Sequence, residues 1–483
     1  MSETRLTPYA RSVAAIEPLE AGRPLPPALA RMVSEAPVAL HEVVNAAVDP
    51  LEIAASLETC GLSNTVVQDR YGQKDVFSLA EQLYATVELR GAPASNPGTR
   101  RSGDISDLAR GIVFAAPAIM FAGATLALGH WLSWWSTPLA LIWGWAFSQF
   151  VAYVGFSRRA WGKPAGSAPA WGLLAALISC GCLGLAGDVL LGGKFSGVLF
   201  AAAACAFMTA AAELVVRGQE VTVGLMLLPG AVGSIVFIVK EPFRIPAAVV
   251  LALATASVAG TVLAALRHLP ARWWREPALS LAETPSAVRY FVHGLCCGLF
   301  VALFMVLEPG GNGTRGWPAA AAYPIILSLG AMEWQLRSLK ASARRALLRT
   351  HTLAQFTRAA RRALARSLVS YLSVLAAATG LVEALAFARD MTIPTPLLAA
   401  GASVALAFFL GLVVASCGRI DLVLPTWVAG LGVYGAWSLS ARLTHAGGAF
   451  GDARLAFCVA ALVSAICLAV VSARVIVSPI CHG

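Results

Sequence analysis

Six polar side chains stand inside otherwise apolar stretches of this 483-residue chain: Gln149, Asp188, Glu213, His293, Glu333 and Glu383. An ionisable group at mid-helix in a membrane costs about 2.5–3.5 kcal/mol on insertion scales, so such groups mark candidate substrate or ion paths. Each has a competing packing role. Glu213 precedes Arg217 by four residues, the spacing of an i,i+4 ion pair. Asp188 and Glu333 lie near enough to an interface to snorkel, and His293 can be a satisfied packing residue. Glu383, flanked by Leu381, Val382, Ala384 and Leu385, is the strongest path candidate. Gln149 and Glu333 form a further pair, since both precede an aromatic residue and a basic loop.

The elements that must position these groups follow from composition. A 58% hydrophobic content with 13% charged residues defines an all-α polytopic membrane protein. Twelve stretches have the ~20-residue length needed to cross a bilayer. They run 111–132, 137–157, 170–191, 195–216, 221–240, 246–266, 288–308, 317–335, 367–388, 394–416, 420–441 and 453–475. With the N-terminus inside, nineteen Lys/Arg fall in inner loops against seven outside, which predicts N-in, C-in topology. Trp131, Trp134 and Trp135 then sit at the outer interface. The Ala- and Arg-rich composition suggests a high-GC bacterium, hence a cytoplasmic membrane.

The stretches read as one six-span unit written twice. Gly184-Leu185 recurs as Gly380-Leu381 and Leu228-Pro229 as Leu424-Pro425, both 196 residues on. Val215-Val216 recurs as Val413-Val414, two residues out of step. An even number of spans per unit gives two parallel six-helix repeats, an architecture found mainly in transporters. The expected organisation is a cytoplasmic helical domain at 1–90, a linker at 91–110 and a first lobe at 111–267. A connection at 268–286, a second lobe at 287–476 and a short tail at 477–483 follow. Pro229 and Pro425 fall inside spans, where each removes a hydrogen bond and invites a kink. Kinks in both copies point to a substrate path.

The first 105 residues differ in kind, with a net charge of −4 against +14 for the rest, and have no apolar run suited to a signal peptide. Asp49-Pro50 starts a helix to about Thr59. A second runs from Ser63 to Tyr71, and a third from Asp75 to about Val87. The string from Gly61 to Phe77 resembles the helix-turn-helix of TetR-type repressors. The acidic balance argues against nucleic acid, because such binding rests on neutralising phosphates. A docking role toward envelope-biosynthesis proteins fits residues 1–90 better.

Between Glu333 and Glu383 there is no acid but nine cations: Arg337, Lys340, Arg344, Arg345, Arg349, Arg358, Arg361, Arg362 and Arg366. Their three- and four-residue spacing, with interleaved leucines, predicts a basic amphipathic insertion at 336–366. It would lie on the inner leaflet against anionic lipid and gather a phosphate or anionic glycan. Strong positive-inside topogenesis is the alternative.

No phosphate-binding loop, zinc motif or paired Cys/His spacing occurs, so neither an enzymatic reaction nor a cofactor or metal is expected. Seven of the ten cysteines lie within apolar spans, where cysteine acts as a small hydrophobe. The loop after the second span, Ser157 to Pro164, lacks the acid of the major facilitator signature. In span count, symmetry and basic cytoplasmic loops, residues 111–476 resemble the multidrug/oligosaccharidyl-lipid/polysaccharide flippase superfamily. The resemblance implies two lobes about a central cleft, moving a lipid-linked saccharide, polysaccharide or other amphiphile by alternating access. Glu383 and Asp188 would then couple an ion or touch substrate. A non-transporting envelope-biosynthesis scaffold and a membrane-tethered regulator are the competing classes.

Overall fold

The computed structural model describes residues 49–59, 64–89, 116–160, 166–192, 194–239, 245–269, 273–275, 279–280, 283–307, 320–350, 352–387, 392–443 and 452–477. Every regular element among them is helical. The chain divides into two compact units, Met1–Arg100 and Arg101–Gly483. The linker 91–110 and the tail after 477 lie outside the described residues.

The first unit contains α1 (Pro50–Thr59), α2 (Asn64–Tyr71) and α3 (Val76–Leu89), close to the limits that the capping residues predict. Asp49 Oδ1 accepts the Leu51 N–H at 2.8 Å, and Asp75 Oδ1 accepts that of Ser78 at 2.7 Å. These caps satisfy backbone donors that a helix start leaves orphaned. Gly72, at φ +67°, ends α2 in the left-handed region where a Cβ is penalised. Ile53, Ala54, Leu57, Val67, Leu79, Ala80 and Leu83 form the small core.

The second unit begins with α4, described over 116–128. There follow α5 (Ser136–Ala160), α6 (Ala168–Leu191), α7 (Phe195–Val216), α8 (Glu220–Val239) and α9 (Ala247–Leu266). Then come α10 (Thr284–Leu307), α11 (Tyr323–Arg349), α12 (Leu353–Phe387), α13 (Thr395–Ser416), α14 (Ile420–Leu443) and α15 (Ala453–Val475). Among the described residues, ten of these helices, α5–α10 and α12–α15, are long and apolar enough to cross a membrane. The chain is a polytopic membrane protein.

In the first group, α7 packs against α5, α6, α8 and α9, and the pairs α5·α6 and α8·α9 also form. In the second, α13 packs against α11, α12, α14 and α15, and the pairs α11·α12 and α14·α15 form. The groups meet most extensively along α5 and α10. There a glycine pair brings the backbones together. A Cβ built at Gly294 would lie 2.6 Å from the Ala146 Cα, and one at Gly298 would lie 2.6 Å from that of Ile142. Small residues four apart permit such approach in lipid, where packing rather than polarity drives association.

Two expectations need correction. The basic run 336–366 does not form a separate helix pair. Residues 337–349 continue α11 and residues 353–366 begin α12, so helices of 27 and 35 residues run ~40 and ~52 Å. Both exceed a ~30 Å hydrocarbon layer in length, and the two helices pack against each other as an antiparallel arm. The cause is local and simple: no proline or glycine lies between Gly330 and Gly380 to break either helix at the membrane boundary. Leu336, Leu339 and Ala343 on α11, with Phe356, Ala360, Ala363 and Leu364 on α12, are buried, so the apolar stripes do not face lipid.

The two Leu-Pro pairs also differ in register. Arg217-Gly218-Gln219 joins α7 to α8, and Cys417-Gly418-Arg419 joins α13 to α14, with both glycines in the left-handed region (φ +74° and +72°). Counted from these matching turns, Pro229 is the tenth residue of α8 but Pro425 the sixth of α14. A loop four residues longer between α12 and α13 than between α6 and α7 shifts the copies by about one turn.

Candidate functional site

A cavity of about 810 Å³ lies between the two helix groups. Its walls come from α4 (Phe121, Thr125), α5 (Leu141, Trp145, Ser148, Gln149, Ala152) and α7 (Phe207, Met208, Ala211, Ala212, Val215). The second group adds Val301 and Met305 from α10, and Tyr323, Ile326 and Leu329 from α11. A run of alanines on α7 leaves the space, and Phe121 seals its side by edge contacts with Phe200 and Phe207 at 5.9 and 5.6 Å. Along α5 the lining runs from Thr137 to Ala152, a rise of ~22 Å.

The two ends of the cavity differ in chemistry. At the tryptophan end, Trp134 and Ser133 border it. The loop before α5 is tied to the start of α7. Ser133 Oγ accepts the Lys194 N–H at 2.7 Å, Ser196 Oγ donates to the Trp131 carbonyl, and Lys194 Nζ lies 5.3 Å from the Trp131 ring centre. At the basic end the lining stops at Ala152 and Val215, short of a set of ties between helices. Tyr153 of α5 and Tyr290 of α10 stack at 4.3 Å. Arg158 donates to both oxygens of Glu283, from Nε at 3.1 Å and Nη2 at 3.0 Å, while Arg159 Nη1 donates to the Val216 carbonyl at 2.7 Å. The Tyr290 hydroxyl donates to the Ala415 carbonyl at 3.4 Å. The Tyr153–Tyr290 stack and the Arg158–Glu283 pair tie α5 to the start of α10 at this end and form a latch between the helix groups.

Hydrogen bonds, first from Arg158 and then from Ser280, hold the Glu283 carboxyl down at about 2, against an ordinary 4.5. A depressed carboxylate contributes fully above its ordinary value, and the contribution is lost only as pH falls through about 2. Acidification to about pH 4 therefore leaves the latch closed, whereas Glu283→Gln weakens it at every pH. Spin labels at the exposed positions Phe156 and Val288 test this by their separation. It should stay constant from neutral pH to about pH 4 and lengthen or broaden in Glu283→Gln; an unchanged distribution in that variant removes the latch.

The structure separates the polar candidates. Gln149 borders the cavity, and its amide has no hydrogen-bond partner among the described residues. The others do not line it. Glu213 is ion-paired with Arg217, and Glu333 accepts from Arg337 Nη2 at 2.8 Å, both through the i,i+4 spacing. His293 lies on α10 with its ring centre 6.3 Å from that of Trp427 and 3.7 Å between Nε2 and Cys297 Sγ. Asp188 is half-buried near the tryptophan end of α6, and its Oδ1 has no partner among the described residues. Glu383 is exposed on α12, a helix that contributes nothing to the described lining.

Pro229 and Pro425 also lie off the lining. Beside Pro229, the Gly230 N–H donates to Ser257 Oγ of α9 at 3.0 Å, and Ser234 Oγ donates to the Met120 carbonyl of α4 at 3.2 Å. That interruption serves packing. Lys340, Arg344, Arg345, Arg358, Arg361, Arg362 and Arg366 are exposed along the arm, and Arg337 is half-exposed. The Arg349 side chain lies outside the description.

Sequence reasoning missed the aromatic and small-residue lining, the Arg158–Glu283 pair and the α5·α10 contact. Of these, only the last had a readable signal, the Gly294-Leu-Cys-Cys-Gly298 spacing. The chain matches no protein-family model, and no curated protein is significantly similar to it.

Proposed function

We propose that this protein is a transporter that moves an amphiphile across a membrane by alternating access of two six-helix lobes, α4–α9 and α10–α15. The observation that carries this reading is the large cavity between the helix groups, bounded at one end by a latch of ion pair and ring stack. The two-lobe reading is supported by the helix pairings, since each pair within α5–α9 has a counterpart six helices on. It is supported too by the left-handed glycine turns at Gly218 and Gly418. With the basic end inside, as the charge bias predicts, the cavity lies toward the outer face, and the latch is the inner gate. The cationic arm of α11 and α12 then projects into the cytoplasm of a bacterium beside an anionic leaflet. There it holds anionic lipid around the inner mouth, through which a saccharide-bearing amphiphile would enter.

Transport of a fluorescent short-chain glycolipid across proteoliposomes tests the proposal. Ala212→Trp, which fills the cavity, should slow movement at least tenfold. Leu185→Trp, which adds the same group to an exposed apolar face, should leave it unchanged. Equal rates in all three proteins would reject the cavity as the path. The distinct compact unit Met1–Arg100 favours a second reading, a scaffold for envelope-biosynthesis enzymes. That reading gains if the purified chain moves no amphiphile while removal of residues 1–90 abolishes its cellular role.

A further inference from the structure

We infer that the cavity accepts an uncharged amphiphile, with Gln149 as the residue that sets this charge preference. The inference rests on the cavity being the cargo path. None of the described side chains that line the cavity is an acid, a lysine, an arginine or a histidine. A charged headgroup drawn inside would lose its water without meeting a counter-charge, which is strongly unfavourable. The carboxylates of the bundle do not relieve this. Those of Glu213 and Glu333 are paired with arginines, and those of Asp188 and Glu383 lie off the lining.

The polar groups that do reach the space are neutral: Thr125, Ser133, Thr137, Ser148, Gln149 and Tyr323, with the indoles of Trp134 and Trp145. Ser148 Oγ donates to the Trp145 carbonyl at 2.9 Å, and Thr125 Oγ1 donates to the Ala122 carbonyl at 2.8 Å. Their hydrogens are committed to the helix backbone, so both act toward a ligand as acceptors. The Gln149 amide, toward the basic end of the lining, keeps two donors and an acceptor available. A hydroxyl-bearing headgroup, which both donates and accepts, matches this set; a phosphate or an ammonium does not. Trp145 and Phe207 add flat apolar faces suited to an alkyl chain or the carbon-bound hydrogens of a sugar ring. The ligand class is therefore a neutral glycolipid-like molecule.

The test uses the full chain in nanodiscs and three probes with one tail: octyl glucoside, octyl phosphate and octyltrimethylammonium. Saturable change in tryptophan fluorescence, to which Trp134 and Trp145 contribute, reports occupancy. The glucoside should bind at least tenfold more tightly than either charged probe. Gln149→Glu should move the preference to octyltrimethylammonium, and Gln149→Lys to octyl phosphate, each by tenfold or more. Thr125→Asp and Thr125→Lys, which change the charge of the same lining nearer the tryptophan end, should repeat the two shifts if the Gln149 variants fail to fold. Equal binding of a charged probe by the parent chain, or an unchanged order in the folded variants, overturns the inference. A parent chain that selects the glucoside but moves nothing across liposomes sinks the transport proposal and leaves this one standing. Movement with octyl phosphate binding as tightly as the glucoside does the reverse.

Discussion

Gly294→Leu is expected to separate α5 from α10 and to leave little folded protein after detergent extraction. The atoms that a Cβ at position 294 would meet are backbone: the Ala146 Cα at 2.6 Å and the Trp145 carbonyl oxygen at 2.7 Å. No rotamer change relieves such a clash, so the helices themselves must move. Overpacking of this kind costs about 1–3 kcal/mol, and more for a larger side chain. Gly294→Ala should therefore lose about 2 kcal/mol, after allowing for the better helix propensity of alanine. Gly181→Ala is the matched control, because a Cβ there meets nothing within 4 Å. Thermal melting followed by fluorescence-detected size exclusion reads both. If Gly294→Leu melts with Gly181→Ala, the close approach of these helices is not what joins the two groups.

Removal of Arg217 should be nearly as damaging. The Glu213 side chain is 2% exposed and its Oε1 is held by Arg217, whose own side chain is 27% exposed. Arg217→Ala leaves a buried carboxylate without compensation, a loss of about 3–5 kcal/mol. It also removes the donor that reaches the His268 carbonyl at 3.4 Å and so ties α7 to the end of α9. Glu213→Gln should cost less, since it leaves the arginine where water can solvate it. Glu213→Leu combined with Arg217→Leu should be milder than Arg217→Ala, because no charge is then stranded. Denaturant or thermal unfolding of the three variants ranks them. A Glu213→Gln protein less stable than Arg217→Ala would show that the acid, not the pairing, is what this site needs.

Local chemistry was legible in the sequence where it acts over a few residues. Asp49-Pro50 and Gly72 placed helix boundaries in the first unit because caps and left-handed turns are set by single residues. The i,i+4 spacing of Glu213 and Arg217 gave their ion pair directly. The arm was half legible. Cation spacing revealed helices, but whether their apolar stripes face lipid or each other depends on what lies opposite. Repeat register was misleading, since two dipeptides at a constant offset concealed a four-residue change in one loop. Glu383 had the surroundings of a path residue, yet its helix borders no part of the described cavity.

The sequence by itself determined that apolar helices dominate, roughly where they begin and end, and how cations are distributed between their ends. Those properties follow from the length of apolar runs, the caps and the charge count, all local to the chain. Tertiary structure alone decided which faces meet, and so placed Gln149 on a cavity and Glu383 away from it. The physical reason is that a membrane helix is apolar all round, and lipid is as good a neighbour for leucine as another helix. Polarity then carries little information about facing. Shape decides instead, and the close backbone approach of α5 and α10 rests on two glycines whose partners, Ala146 and Ile142, have no polarity to announce them.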